Sequence, residues 1–400
     1  MAPKHLRRWL YYLLIIPYFK PALFGVMEET ALLETVFDLW RLAAAVVVCA
    51  LYLYQAIHFR RRPSSVMILL CVYLAFVAAA TVLKQDSVWP VANHVLTIVT
   101  FCMLLEVRLR QDPHGSVDML VMPLTVLILL NFVMECIFPR GVTDGGTYGY
   151  SYNLMGIDNL LGPVLVPYMF LVVLRSSIVH GRVNWFAYSM VFVASESLIL
   201  VWSATGMMGM LVALVFLLFI YQRRGERLFN YLSASLTGAF MFFAIVMFRL
   251  QNLFEFFITG VLHKGLSFTG RTDIWDRAIF LIERAPFLGY GLAKPGKVYR
   301  LGKHKYYHAH NIFLELLVEG GLGALIAFLF MLERCGRQLM IYRKHSYACL
   351  ISGGLLAVMV MTSMEPYLDN NGLLIYALIF LGHYVGSLIR GEYVPPLGAK

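Results

Sequence analysis

Charge is scarce in this sequence. Asp, Glu, Lys and Arg make up 14% of its 400 residues, where globular domains average about 25%, and 60% are hydrophobic. A water-soluble domain has no use for that much apolar surface, so soluble enzymes and soluble binding modules are excluded. Cysteine is sparse and scattered. Cys49, Cys71, Cys102, Cys136, Cys335 and Cys349 fall within apolar runs or beside basic loops, so no disulfide framework is expected and they read as small packing residues. Metal-ligand spacing is missing too. His308 and His310 in "HAH" supply two donors, but no Cys, His or Asp cluster supplies a third and fourth, so no metal is expected. There is no low-complexity tract and no solenoid repeat.

What the sequence has is apolar runs of bilayer length. A helix needs roughly 17–25 such residues to cross the hydrocarbon core, and lipid-exposed backbone must be hydrogen-bonded internally. About twelve spans are expected, over 9–26, 37–57, 65–82, 90–107, 117–137, 158–175, 183–203, 205–221, 229–250, 311–332, 347–364 and 370–389. The first resembles a signal peptide but lacks a small-x-small cleavage site, and reads as an uncleaved span. The fold class is therefore all-α, one polytopic membrane domain over 1–400. Arg7 and Arg8, "HFRRRP", Arg108 and Arg110, Arg175 and Arg182, "RRGER" and "ERCGRQLMIYRK" all fall on one side, which the positive-inside rule makes cytoplasmic, together with both termini. The opposite loops, "VMEETALLE", "DGGTYGYSYN" and "MEPYLDNN", are poor in positive charge.

One connection is long. Residues 251–309 form a single large outer loop with nine Lys or Arg against four Asp or Glu. Long loops escape the positive-inside rule, so its basic character leaves the orientation intact. Within it, "TDIWDRAIFLIERA" carries Ile274, Ile279 and Ile282 at helical spacing and predicts a helix on the membrane surface or on the bundle. "APFLGYGLAKPGK" is punctuated by Pro286, Gly289, Gly291 and Pro295 as a turn.

The loop ends on "YYHAHNIFLELLVEGG", so His308, His310 and Asn311 stand at the outer mouth of the tenth span. Read alone, Asn311 suits a helix N-cap and His310 an interfacial histidine. Glu315, one turn into the span, should face inward with a partner, as should Glu365 near the outer end of the next span. Glu196 is expected to hydrogen-bond between helices. Tyr148, Tyr150 and Tyr152 read as an interfacial aromatic belt or as stacking faces for a sugar.

Taken together, "TGRTDIWDRAIFLIERAPFLGYG" (269–291), "HAHNIFLELLVEGGLGALIAFLF" (308–330) and Glu365 in "MTSMEPYLDNN" resemble the O-antigen ligase and polysaccharide polymerase superfamily of bacterial envelopes. The resemblance covers about 269–370 and does not separate ligases from polymerases. It implies a GT-C-like inner-membrane glycosyltransferase with its active site on the periplasmic face, built partly from the loop 251–309. The donor would be a glycan on undecaprenyl diphosphate. The acceptor would be the lipid A core for a ligase, or a lipid-linked glycan for an O-antigen or exopolysaccharide polymerase. It also implies inversion at the anomeric carbon, no cofactor and no required metal. Beyond these substrates the expected partners are membrane lipids, and no nucleic acid.

The same resemblance implies roles. His310 is the expected general base, Arg271 binds the diphosphate, and Arg249 is a second candidate for that contact. Asn311, Glu365 and His308 support them, while Arg277 and Arg284 stay solvated on the loop helix. Many relatives carry a basic residue in the turn before the eighth span. Here that turn reads "SATGMMGM", with Met207 and Met208, so Arg249 or a loop lysine such as Lys264 would have to substitute. Two rival readings stand beside the enzyme: a lipid-linked oligosaccharide flippase, which would line a mid-membrane cavity with charge, and an inactive scaffold of envelope assembly.

Overall fold

The computed structural model describes residues 4–84, 88–143, 152–221, 229–244, 271–292, 299–301, 304–306 and 308–391. In chain order the helices are α1 (Lys4–Ile15), α2 (Ala31–His58), α3 (Ser65–Lys84), α4 (Trp89–Gln111), α5 (Pro113–Ile137), α6 (Asp158–His180), α7 (Trp185–Leu200), α8 (Ala204–Val215), α9 (Tyr231–Phe242), α10 (Arg271–Arg284), α11 (Ile312–Ile341), α12 (Ser346–Thr362), α13 (Leu373–His383) and α14 (Val385–Arg390). Among the described residues the expectation of an all-α chain has one small exception, an antiparallel hairpin of β1 (Tyr299–Leu301) and β2 (His304–Tyr306).

Among the described residues six helices are long and apolar enough to cross a membrane: α2 with the turn before it, α3, α4, α5, α6 and α11. Four more apolar helices are shorter, namely α7, α8 with the start of the turn after it, α9 and α12. The first expected span, 9–26, is not a continuous helix. α1 stops at Ile15, and the chain continues as short 3-10 turns at Ile16–Phe19 and Ala22–Gly25, because Pro17 and Pro21 each remove a donor and clash with the preceding turn. The eighth span passes from α8 into a wide turn at Phe216–Tyr221, and the last is divided at Tyr384 into α13 and α14.

Polar residues at the helix ends set the boundaries. Asp112 caps α5 through Gly115 N–H (2.8 Å), Asn184 caps α7 and Ser203 caps α8. Gly181 closes α6 in the left-handed conformation (φ 68°). α6 is apolar on every side and is buried along most of its length, as such helices must be. It packs against α5, α7, α8, α12 and α13. α2 carries large exposed apolar residues such as Leu32, Leu39 and Val46, which suits a face turned to lipid.

α3 and α11 run antiparallel. The ring of Tyr73 meets Phe328 at 6.0 Å, while further along α3 Phe76 lies against Gly323 and Val77 against Gly320. Glycines at that seam let the two backbones approach, the usual device between membrane helices. The end of α3 therefore lies beside the start of α11, and the start of α3 lies at the far end of the bundle.

That far end is fastened by a buried ionic cluster. Glu106 is fully buried and accepts from Tyr52 Oη (2.7 Å), Ser64 N–H (2.9 Å), Tyr384 Oη (2.8 Å) and Arg110 (2.5 Å). Arg110 donates in addition to the Arg62 carbonyl at 2.8 Å. A buried charge pair is tolerable when its remaining lone pairs and protons are satisfied, as here. Arg8 of α1 and the Leu388 carbonyl of α14 both contact α5 close to its start, through Asp118 and His114. The two described ends of the chain thus sit at the same end of the bundle.

Candidate active site

α11 is a broken helix. Gly321 sits at φ 65° and ψ −164° within it, which frees the carbonyls before it. The "PFLGYG" turn takes them up: Tyr290 N–H donates to the Val318 carbonyl (2.7 Å) and Gly291 N–H to the Glu319 carbonyl (2.8 Å), while Leu322 N–H reaches the Pro286 carbonyl (2.8 Å). A Cβ on Gly321 would stand 2.3 Å from the Phe287 carbonyl carbon. The turn and the kink are therefore one interlocked unit, and it holds the first turns of α11 against the loop helix α10.

α10 docks through its apolar face. Ile274, Trp275, Ala278 and Leu281 form a cluster with Ala309, Leu314, Val318 and Met364. The loop helix thus lies on the bundle at the mouth of α11, with Trp275 almost fully buried. Met208 of α8 packs on the same cluster, as do Ile279 and Ile282. Where the resemblance leads one to expect a cation near the eighth span, an apolar side chain packs against this cluster instead.

At the mouth, Asn311 is completely buried and uses both ends of its amide. Its Oδ1 accepts from Phe313 N–H (3.0 Å) and Leu314 N–H (3.2 Å), and its Nδ2 donates to the Ser363 carbonyl (3.0 Å). It caps α11 and ties it to the end of α12, two residues before Glu365. His310 sits just outside at φ 50°, a left-handed backbone uncommon outside glycine. Its Nδ1 lies 2.8 Å from Glu365 Oε1. A carboxylate only accepts, so Nδ1 carries a proton towards Glu365, and in the corresponding neutral tautomer the lone pair falls on Nε2. The His310 side chain is 21% exposed and that of Glu365 7%. The ring reaches solvent while the carboxylate that orients it does not.

His308 is the outer histidine, with its side chain 51% exposed. Its Nδ1 stands 3.6 Å from Glu315 Oε1, and the other Glu315 oxygen accepts from Ala309 N–H at 2.5 Å. Glu315 faces inward with partners, as its place in the span required. Partial desolvation at the mouth lowers the His308 pKa, but Glu315, Asp369 and Glu365 together outweigh it, and the pKa rises to about 9. His308 is thus favoured as a cation near neutral pH, two residues from His310.

Other expected residues fall less centrally. Arg271 is the first residue of α10, whose next turn packs against residues on both sides of His310. Arg249, Lys264, Tyr148 and Tyr150 lie outside the described residues, as does most of the loop before α10. Tyr152 closes a loop through its backbone, accepting from Val142 N–H at 2.8 Å. Arg277 and Arg284 stack on the ring of Phe280, 4.7 and 4.1 Å from its centroid. Glu196 is half-buried on α7 and makes no hydrogen bond among the described residues, so the interhelical bond expected of it is not formed. Among the described residues no group of three or more His, Cys, Asp and Glu side chains is placed to hold a metal ion.

Two residues at the mouth escaped the sequence reading. Glu319 is buried one turn beyond Glu315, and helical spacing from Glu315 is a signal that could have found it. Asp369 caps the turn before α13, accepting from Asn371 N–H at 3.1 Å, and its charge acts on His308. Its place in "LDNN" looks like an ordinary Asx turn, and nothing local marks it out.

This is a helical membrane protein with a carboxylate-oriented histidine at one membrane face. Residues 189–329, which run from α7 through α10 into α11 and include His310, match the family model described as O-antigen ligase, and that match supports the O-antigen ligase superfamily. No curated protein matches the sequence.

Proposed function

We propose that this protein is an inverting glycosyltransferase that moves a glycan from undecaprenyl diphosphate to an acceptor sugar at the periplasmic face of the bacterial inner membrane, as an O-antigen ligase with the lipid A core as acceptor. The single observation that carries the reading is the His310–Glu365 pair at 2.8 Å on the mouth of α11. Glu365 fixes the tautomer, so Nε2 takes the proton of the acceptor hydroxyl as its oxygen attacks the anomeric carbon. The carbon–oxygen bond to the diphosphate breaks on the opposite face, giving inversion. The leaving group departs with both electrons and gathers negative charge. Arg271 and protonated His308 stabilise that charge, Arg through paired hydrogen bonds to the phosphate oxygens. Neither step calls for a metal.

The buried ionisable residues also favour chemistry at a face over passage through the middle. Glu315, Glu319 and Glu365 lie at the His310 end, whereas Glu106, Arg108 and Arg110 lie at the other. A flippase would place charge between them.

The test is transfer by purified protein supplied with carrier-linked donor and acceptor. His310→Ala should lower the rate about 10²–10⁴-fold, and Arg271→Ala should be similarly severe with donor binding weakened. Wild-type rates for both variants would end the assignment. A deletion strain separates the branches. Long glycan held on the carrier indicates a missing ligase, and single repeats indicate a missing polymerase.

A further inference from the structure

At the end of the bundle opposite His310, a cavity of about 210 Å³ opens between α1, α4, α5 and α6. That is several times the roughly 30 Å³ that one water occupies in the liquid. Three guanidinium groups line it, those of Arg8, Arg108 and Arg175, against two carboxylates, Asp112 and Asp118. Asp118 bridges two of the arginines, accepting from Arg8 (2.7 Å) and from Arg175 Nε (2.6 Å). Asp112 accepts from Arg108 at 2.6 Å. One positive charge stays uncompensated, and arginine cannot shed it.

The donors are not used up either. Arg108 is 8% exposed and its Nε has no hydrogen-bond partner among the described residues, while the ring of Tyr11 covers its face at 4.5 Å. Among the described residues Arg175 donates only through Nε, and its side chain is partly exposed. A buried guanidinium N–H without an acceptor is costly, so Arg108 Nε gives this cleft a reason to take an acceptor. Its rim is apolar. Ile178 and Val179 line it, and Val179 is 52% exposed on the last turn of the membrane-length helix α6.

We propose that this cavity binds the phosphate of an anionic phospholipid, with the acyl chains leaving across Val179. The guanidinium forks match paired phosphate oxygens, and the apolar rim at the end of a membrane helix selects a lipid over a free anion. By the excess of Lys and Arg at this end the leaflet is the cytoplasmic one, where anionic lipids concentrate and basic pockets between helices take their head groups. The site is remote from the proposed chemistry and stands independently of it.

The experiment uses the full-length protein in neutral detergent, with bound lipid counted by native mass spectrometry. Phosphatidylglycerol, phosphatidylcholine and glycerol 1-phosphate are added at equal concentration. Phosphatidylglycerol should be retained and the other two should not. Arg175→Gln should weaken its retention about 10-fold or more. Gly115→Ala tests the same site while keeping every charge, because its Cβ would stand 2.2 Å from the Arg108 guanidinium and push it aside. Arg337→Gln, on the exposed surface of α11, should retain the lipid as wild type does. Equal retention of phosphatidylcholine, or undiminished binding by both Arg175→Gln and Gly115→Ala, would overturn the proposal. So would equal binding of glycerol 1-phosphate, which would make this a site for soluble phosphate, or an equal loss in Arg337→Gln, which would reduce it to surface charge.

Discussion

His310 and Glu365 are 55 residues apart in sequence and joined by one hydrogen bond of 2.8 Å. The bond orients the ring: with Nδ1 donating to the carboxylate, Nε2 is the nitrogen left facing away from it. Glu365→Gln keeps an acceptor but removes the charge that stabilises the imidazolium formed during transfer. The rate should fall between about 10- and 100-fold, as is typical when an orienting partner is lost, with the Michaelis constant for donor little changed. Steady-state kinetics on carrier-linked donor would check this, and an unchanged rate constant would detach Glu365 from the chemistry.

His308 should make stability depend on pH. Its pKa is raised from 6.5 to about 9 in the folded protein, so the folded state binds the proton more tightly than the unfolded chain does. The stabilisation is fully present below pH 6.5 and is lost as pH rises through about 9. Thermal unfolding of the wild type should weaken across that window, and His308→Gln should flatten the change. Equal pH dependence in the two proteins would show that the Glu315 pair contributes nothing.

Asn311 is the joint between α11 and α12. Asn311→Ala removes the cap and the bond to the Ser363 carbonyl, and should cost about 1–3 kcal/mol. Asn311→Ser keeps a capping oxygen and loses the Nδ2 donor without adding charge, so it should fall between the two. Unfolding midpoints in one detergent would order the three proteins.

Gly321 cannot carry a side chain. Its φ is 65°, and a Cβ would meet the backbone of Phe287, which has no free rotor to move aside. Gly321→Ala should cost more than the roughly 1–3 kcal/mol of a strained backbone position and should separate "PFLGYG" from α11. Faster proteolysis of the loop 251–309, with transfer lost, is the expected readout.

Glu106 tests the opposite end. Glu106→Gln leaves Arg110 buried without its carboxylate, at a cost of about 3–5 kcal/mol. The fraction of folded protein should fall sharply, yet transfer per folded molecule should hold, because the cluster is remote from His310. A fall in activity per folded molecule would show that the two ends are coupled.

Much was legible before any tertiary contact was known. Apolar runs marked the helices, and "HN" before a run marked both the start of α11 and the cap at Asn311. The "GRT" and "GYG" elements pointed to the superfamily that the match over 189–329 supports. Pro17 and Pro21 also carried a signal against a continuous first span, but length and hydropathy hid it.

The sequence by itself determined the solvent and the helices, because burial of apolar runs and internal backbone hydrogen bonding are local demands that a bilayer imposes on each segment. Only the tertiary structure decided that Glu365 meets His310, that Glu315 meets His308, that Met208 packs on the cluster at the mouth, and that three arginines from separate helices surround one cavity. Those pairings depend on how helices pack and rotate against one another. Small residues and interhelical polar bonds set that packing, and the periodicity of any single segment does not encode it.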